Sequence, residues 1–158
     1  MGPRFFIWAG LEPTYSHSAY MYSQACKLLE IKQTPQIIFD VFDAYRAENC
    51  AVSVKKFKVL LHFCREAEDA NLGLLVLRKM EFNCRPDTLS HNVVICLFCE
   101  KGEVDEAIEL MGEMGLIDLY PDMIAYVRLI KRLSDVGRME EACRLVKVMK
   151  CSCVFGGS

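Results

Sequence analysis

The strongest constraint on this chain is that it repeats itself. Gly102 returns as Gly137, Glu106 as Glu141, Ala107 as Ala142, Leu110 as Leu145 and Met114 as Met149, and Pro86-Asp87 returns as Pro121-Asp122. The offset is 35 residues each time, as from 102 to 137. A fixed period of this size marks stacked helical hairpins, none of which buries its apolar surface alone. Such a stack offers a long groove in place of a single active-site cavity. The functional question is therefore what lies in the groove.

The composition agrees with a folded array. Of 158 residues, 53% are hydrophobic and 25% charged, which is globular rather than disordered. The formal net charge of −2 means that the chain as a whole offers no electrostatic funnel for phosphate. Nine cysteines read as reduced thiols. Their number is odd, no secretory signal accompanies them, and helical repeats need no covalent staples. This favours a reducing intracellular compartment. Near the N-terminus Phe5 to Leu11 is apolar but too short to span a bilayer, and Glu12 follows it. Phe6 stands where myristoylation prefers Ser or Thr, and no Arg- and Ser-rich targeting segment is visible. Residues 1–18 are expected to form an N-terminal cap or partial helix, and no membrane partner is expected.

About four units can be laid out, at 19–53, 54–87, 88–122 and 123–150, with 151–158 as a frayed tail. The clearest has Leu89, Val93, Val94, Leu97 and Phe98 at helical spacing, then a break at Gly102, which suits a left-handed helix end. Its second helix starts near Val104 and presents Ala107, Ile108, Leu110, Met111 and Met114 to the core. Pro121 closes the unit. The next unit repeats this with Tyr126, Leu129, Ile130 and Leu133, a turn at Val136-Gly137-Arg138, and a helix from Met139 to Lys150. In 54–87 the pattern runs one residue shorter, and Glu68 replaces the turn glycine. The unit at 19–53 is recognisable mainly by pattern, through Tyr22, Ala25, Cys26 and Leu29, with Pro35 opening its second helix.

These residues carry a resemblance. Asn92-Val93-Val94-Ile95, Phe98-Cys99-Glu100-Lys101-Gly102, Asp105-Glu106-Ala107, Met114 and the closing Pro121-Asp122 resemble the pentatricopeptide repeat. Tyr126, Leu129-Ile130, Gly137-Arg138 and Glu140-Glu141-Ala142 match it again. The tetratricopeptide repeat is the near relative, but its Trp-containing first helix and Leu-Gly signature are missing from both units. The resemblance implies an all-α fold, a right-handed α-solenoid of stacked antiparallel helix-turn-helix repeats. It also implies single-stranded RNA as partner, read at one base per unit by a few side chains, in organellar RNA processing or stability. Location in the mitochondrion, or alternatively the chloroplast, follows from the same likeness.

Within that family the readers are the fifth residue of the first helix and the last residue of the unit. Here they are Asn92 with Asp122, a pairing that the resemblance associates with pyrimidines, uracil above cytosine. Leu89 and Ile124 would clamp the base. The other units depart from the pattern: Ser23 with Ser53, Lys58 with Asp87, which suggests an ion pair, and Val127, which has no hydrogen-bonding group. Where the family often places a phosphate-binding lysine, this chain has Ile31, Glu66, Glu100 and Asp135. Lys55, Lys56, Lys101, Arg128, Lys131 and Arg132 are the candidate phosphate contacts that offset this acidic line.

Other constellations read more simply. Cys96-x-x-Cys99 lacks a second ligand pair for zinc and a βαβ context for redox work, so core or groove thiols are expected. No His-x-Glu with Pro-Cys-x-x-Cys is present to form a deaminase site. Met111, Met114, Met139 and Met149 are expected to pack in the core. The acidic run from Glu100 to Glu113 and the basic run from Arg128 to Lys147 are expected to be mostly solvated faces, with an inter-repeat or partner contact as the alternative. No residues support catalysis or a cofactor. The alternatives to RNA binding are a protein-interaction solenoid, self-association through repeat ends, or a fragment with little affinity of its own.

Overall fold

The computed structural model describes residues 54–155, with side chains defined at 54, 55 and 57–151. The expected cap at 1–18, the unit at 19–53 with Ser23 and Ser53, and residues 156–158 lie outside the described residues. Among the described residues there are six helices and no strand. They are α1 (Val54–Ala67), α2 (Ala70–Asn83), α3 (Thr88–Lys101), α4 (Val104–Leu116), α5 (Met123–Asp135) and α6 (Met139–Phe155). Two compact units divide between Pro86 and Asp87.

In the first unit, α1 and α2 form a hairpin. Phe57, Leu61 and Cys64 recur every three or four residues along α1 and are buried at 0–1% exposure. Leu72, Val76, Leu77 and Met80 form the buried face of α2. In the second unit α3 packs on α4 and α5 on α6, and α5 also lies against both α3 and α4. One hairpin is thus stacked on the next, as the repeat period requires. The core of this unit holds Val94, Ile95, Leu97 and Phe98 of α3, Leu110 and Met114 of α4, and Leu129 and Leu133 of α5. Each such side chain contributes about 1.5–3 kcal/mol on burial.

The same chain reversal follows four of the first five helices. Backbone N–H groups reach back five residues, from Asp69 to Cys64 O (3.1 Å), Glu103 to Phe98 O (3.0 Å), Leu119 to Met114 O (2.9 Å) and Arg138 to Leu133 O (2.8 Å). This is the Schellman pattern, and it needs a left-handed residue just before the donor. Gly102 (φ +83°) and Gly137 (φ +78°) supply it without strain. Glu68 and Asp118 adopt it at φ 56° with a Cβ in place. The turn at Glu68 therefore keeps the repeat's geometry although the glycine is gone. Glu68→Gly is expected to raise stability by about 0.5–1 kcal/mol, the relieved left-handed strain less the added chain entropy. A urea melt with an unchanged or lower midpoint would contradict this.

Aspartates start three helices. Asp69 Oδ1 accepts from the Leu72 N–H (3.0 Å), Asp87 Oδ1 from the Ser90 N–H (3.0 Å), and Asp122 Oδ1 from the Ala125 N–H (2.8 Å). Each cap satisfies an orphan donor of the first turn, and its loss costs about 0.5–2 kcal/mol.

Ala107 and Ala142 are buried at 0% and 3% exposure, as expected for small residues at a helix seam. Ala107→Leu is expected to destabilise the second unit by about 1–3 kcal/mol through overpacking. Thermal melts of variant and parent that superimpose would refute that seam. Two expectations are corrected. The tail at 151–158 does not begin at Cys151, because α6 continues to Phe155. No Gly or Pro interrupts the sequence between Met139 and Gly156, so nothing stops the helix earlier. The methionines are not one buried stripe: Met114 is fully buried, but Met139, at the exposed start of α6, is 55% exposed.

Candidate RNA-reading groove

The site is built on the first turns of α3 and α5. Asn92 is the fifth residue of α3, and Asp122 is the cap that precedes α5. Stacking of the two hairpins brings them together across 30 residues: the Asp122 backbone N–H donates to Asn92 Oδ1 at 3.3 Å. Asn92 is only 4% exposed, so it is neither a solvated surface residue nor unrelated to the turn. Its Nδ2 is buried and without a hydrogen-bond partner. The orientation of this amide is fixed by chemistry, since a flipped amide would set donor against donor at Asp122. A buried donor left unpaired costs about 1–3 kcal/mol. That makes Nδ2 the strained element of the site.

Asp122 has a structural task as well. One carboxylate oxygen caps α5 while the second retains acceptor capacity. Leu89 lies one turn before Asn92 on α3 and is 53% exposed; Ile124, in the first turn of α5, is 60% exposed. Two aliphatic side chains thus stand in solvent at the edges of the Asn92–Asp122 pair. Val127, the fifth residue of α5, is 53% exposed and offers only apolar surface. Lys58 is half-buried on α1 in the first unit, while Asp87 caps α3 in the second.

The basic candidates divide into two groups. Lys55, Lys101 and Lys131 are exposed, and the Lys56 side chain lies outside the described residues. Arg128 and Arg132 are engaged with α3. The Arg128 guanidinium pairs with the Glu100 carboxylate. Arg132 donates from Nε to Cys99 O (2.5 Å) and from Nη2 to Glu100 O (2.8 Å), satisfying carbonyls at the C-terminal end of α3. Arg138, just before α6, reaches Asp105 Oδ1 on α4 (2.6 Å) and both oxygens of Glu141 on α6 (2.6 and 2.7 Å). This guanidinium holds Glu141 below the usual carboxylate range. The acidic and basic runs are mostly exposed, as expected, and some charges of one hairpin also pair with charges on the next. The opposite signs of residues 100–113 and 128–147 were the signal for these contacts, but pairing needs a register that sequence alone does not supply.

Cys99 is buried, and burial pushes its thiol up to about 12, with neighbouring Cys96 adding to the shift. It stays protonated at neutral pH and is a packing group rather than a nucleophile. Among the described residues no cluster of three or more His, Cys, Asp or Glu could hold a metal, and no helix is long and apolar enough to cross a membrane.

Two family profiles described as the PPR repeat match this chain, at residues 82–115 and 124–154. A pentatricopeptide repeat-containing protein of Arabidopsis thaliana is 46% identical over 121 residues, which is 76% of this chain and 25% of that protein. The chain belongs to the pentatricopeptide repeat family. A second Arabidopsis thaliana pentatricopeptide repeat-containing protein, named as mitochondrial, is 26% identical over 90% of this chain and 15% of its own length. The chain thus spans about a quarter or less of these relatives. The crystal structure of the pentatricopeptide repeat protein PPR10 from maize matches with a TM-score of 0.59 at 26% identity, over 92% of this chain and 20% of that one. PPR10 in complex with an 18-nt psaJ RNA element matches with the same TM-score of 0.59 at 20% identity, over 87% of this chain and 20% of that one. The fold class is accordingly the all-α helical-repeat solenoid. The two matches cover the α3–α4 and α5–α6 hairpins apart from single residues at their ends, and Asn92 and Asp122 meet where these hairpins adjoin.

Proposed function

We propose that this pentatricopeptide repeat protein binds single-stranded RNA without catalysis, and that the α3–α5 groove selects a pyrimidine, uracil above cytosine. The observation that carries this reading is the Asn92–Asp122 pair. Asn92 Oδ1 is occupied by a backbone N–H, so the side chain has only its Nδ2 donors to offer a ligand. A donor favours a base edge with carbonyl oxygens. Uracil has two, whereas cytosine replaces one with an amino group. Leu89 and Ile124 give a planar base apolar surface on either side. Val127 gives the following unit a surface on which a base can rest without being chosen.

The family match supports RNA as the partner, and PPR10, which this chain resembles at 26% identity in one crystal structure, is itself seen with an RNA element in another. The net charge of −2 implies modest affinity, with phosphate contacts left to individual cations such as Lys101 and Lys131. A role in organellar RNA processing or stability follows from the family resemblance, and the relative named as mitochondrial supports a mitochondrial location.

The test is a titration of short uridine-rich and adenine-rich single strands at several salt concentrations. Tighter binding of the uridine strand, weakening as salt rises, supports the reading. Equal binding of both strands sinks base selection. No binding of either at low salt sinks the RNA reading and leaves the groove to a protein partner.

A further inference from the structure

The second helices of the two hairpins leave an open trough between them. α5 packs against both α4 and α6, and its buried Leu133 forms the floor. The trough has a volume of about 180 Å³, and its walls are Ile108 of α4 and Glu141, Arg144, Leu145 and Val148 of α6. Ile108 and Leu145 are half-buried, and Val148 is 51% exposed. On the α4 side Gly112 and Gly115 follow Ile108 at the spacing of one helix face, and a Cβ at either would meet nothing within 4 Å. The wall there is bare backbone, which a second helix can approach closely.

The two flanks of this trough carry opposite charge. Along α4 the exposed residues include Asp105, Glu106 and Glu109, and the helix has no cation. Along α6 the exposed cations Arg144, Lys147 and Lys150 follow Glu140 and Glu141. Glu109 and Arg144 are each the sixth residue of their helix, 35 positions apart, so the repeat period sets them at the same height. Glu109 has no ion pair among the described residues. Arg144 reaches Glu140 at 3.9 Å, and both side chains stand open to water at 73% and 95% exposure. A pair so exposed holds Arg144 weakly.

We propose that this trough is the interface of a symmetric homodimer. Equivalent helices of successive repeats run the same way, so a two-fold axis along the trough lays α4 of one copy against α6 of the other. Residues of equal height then face each other, and Glu109 of each copy meets Arg144 of the other, twice per dimer. The two troughs close on one another, and Ile108, Leu145 and Val148 leave water together. At the head of the trough Asp105 and Glu141 already share Arg138, which offsets the acids that meet there. A second copy is the occupant that the charges specify. An isologous contact requires what this surface has, an acid on one flank and a base on the other at the same height. The interface lies between two complete hairpins of one chain, so it differs from a stacking of repeat ends. It does not depend on the RNA reading, since none of these residues belongs to the Asn92–Asp122 slot.

The experiment reverses the two charges one at a time. Arg144→Glu and Glu109→Arg each turn two attractive contacts into two repulsive ones, and both positions are exposed, so both variants keep the fold. Sedimentation velocity of the parent at rising concentration, to roughly 1 mM, should show a monomer–dimer equilibrium. Each variant alone should dimerise at least about 10-fold more weakly. Mixed in equal amounts, the two variants should dimerise with each other about as well as the parent does with itself. In the mixed dimer one copy has glutamate at both positions and the other has arginine at both, so both contacts are attractive again.

Loss of dimer in each variant with recovery in the mixture supports the proposal. A parent that stays monomeric across that range overturns it and leaves the trough to a different protein. If the parent dimerises and both variants do so equally well, the copies join elsewhere, as at repeat ends, and the proposal is likewise overturned. Loss without recovery in the mixture overturns the pairing of Glu109 with Arg144 on which it rests.

Discussion

Asn92→Ala is expected to weaken binding of a uridine-rich strand about 5- to 150-fold, the equivalent of about 1–3 kcal/mol for one base-reading side chain, and to abolish its preference over an adenine-rich strand. The effect is large because the side chain is already desolvated. Its Nδ2 has surrendered water without gaining a partner, so a base that supplies an acceptor recovers that cost on binding. The stability of the free protein should change far less. The variant loses the 3.3 Å bond from the Asp122 N–H but also discards the unpaired amide, and the two changes oppose each other. Paired binding curves and thermal melts check this. A variant that binds as tightly and as selectively as the parent would remove Asn92 from the site.

Phe98→Ala is the substitution with the largest expected effect on stability, a loss of about 3–5 kcal/mol. The ring is 1% exposed and sits on α3, a helix that packs on both α4 and α5, just before the Gly102 reversal. Deleting it leaves a cavity that helices fixed by tight turns at both ends cannot readily close. Strand binding should fall with it, because Asn92 and Asp122 meet only while α5 is held against α3. Urea denaturation measures the loss. A cost under about 1 kcal/mol would mean that the hairpins are not joined through this ring.

Much of this architecture was legible in the sequence, for identifiable reasons. The internal repeat fixed the number of residues per hairpin, and the helix starts near Val104 and at Met139 fall where glycine and apolar spacing placed them. Gly102 and Gly137 announced their left-handed turns, because a residue without a Cβ is the cheapest way to make one. Asn92 and Asp122 were legible as a pair only through resemblance, since no pattern along the chain says that residues 30 positions apart share a hydrogen bond.

What was not legible depends on three-dimensional register. Glu68 gave no hint that it occupies the glycine conformation, because the turn is imposed by the packing of α1 on α2 rather than by the preference of that residue. The same holds for Asp118. The arginines were visible as a basic run, but whether they meet water, phosphate or the preceding hairpin is decided by where α5 and α6 come to rest. Arg132 lies on the α3 carbonyls and Arg138 on Asp105 because the stacking offset sets them there. The end of α6 was placed too early because the repeat period, and not a breaker in the chain, was used to stop it.

The central claim is that a base is held where α3 and α5 begin, against the unpaired Nδ2 of Asn92. The most direct measurement is the NMR signal of the Asn92 side-chain amide during addition of a uridine-rich single strand. The account predicts a large, saturable shift of that signal together with the methyl groups of Leu89 and Ile124, and little change for an adenine-rich strand. An unmoved Asn92 amide, with strand-induced shifts confined to α4 and α6, would contradict it.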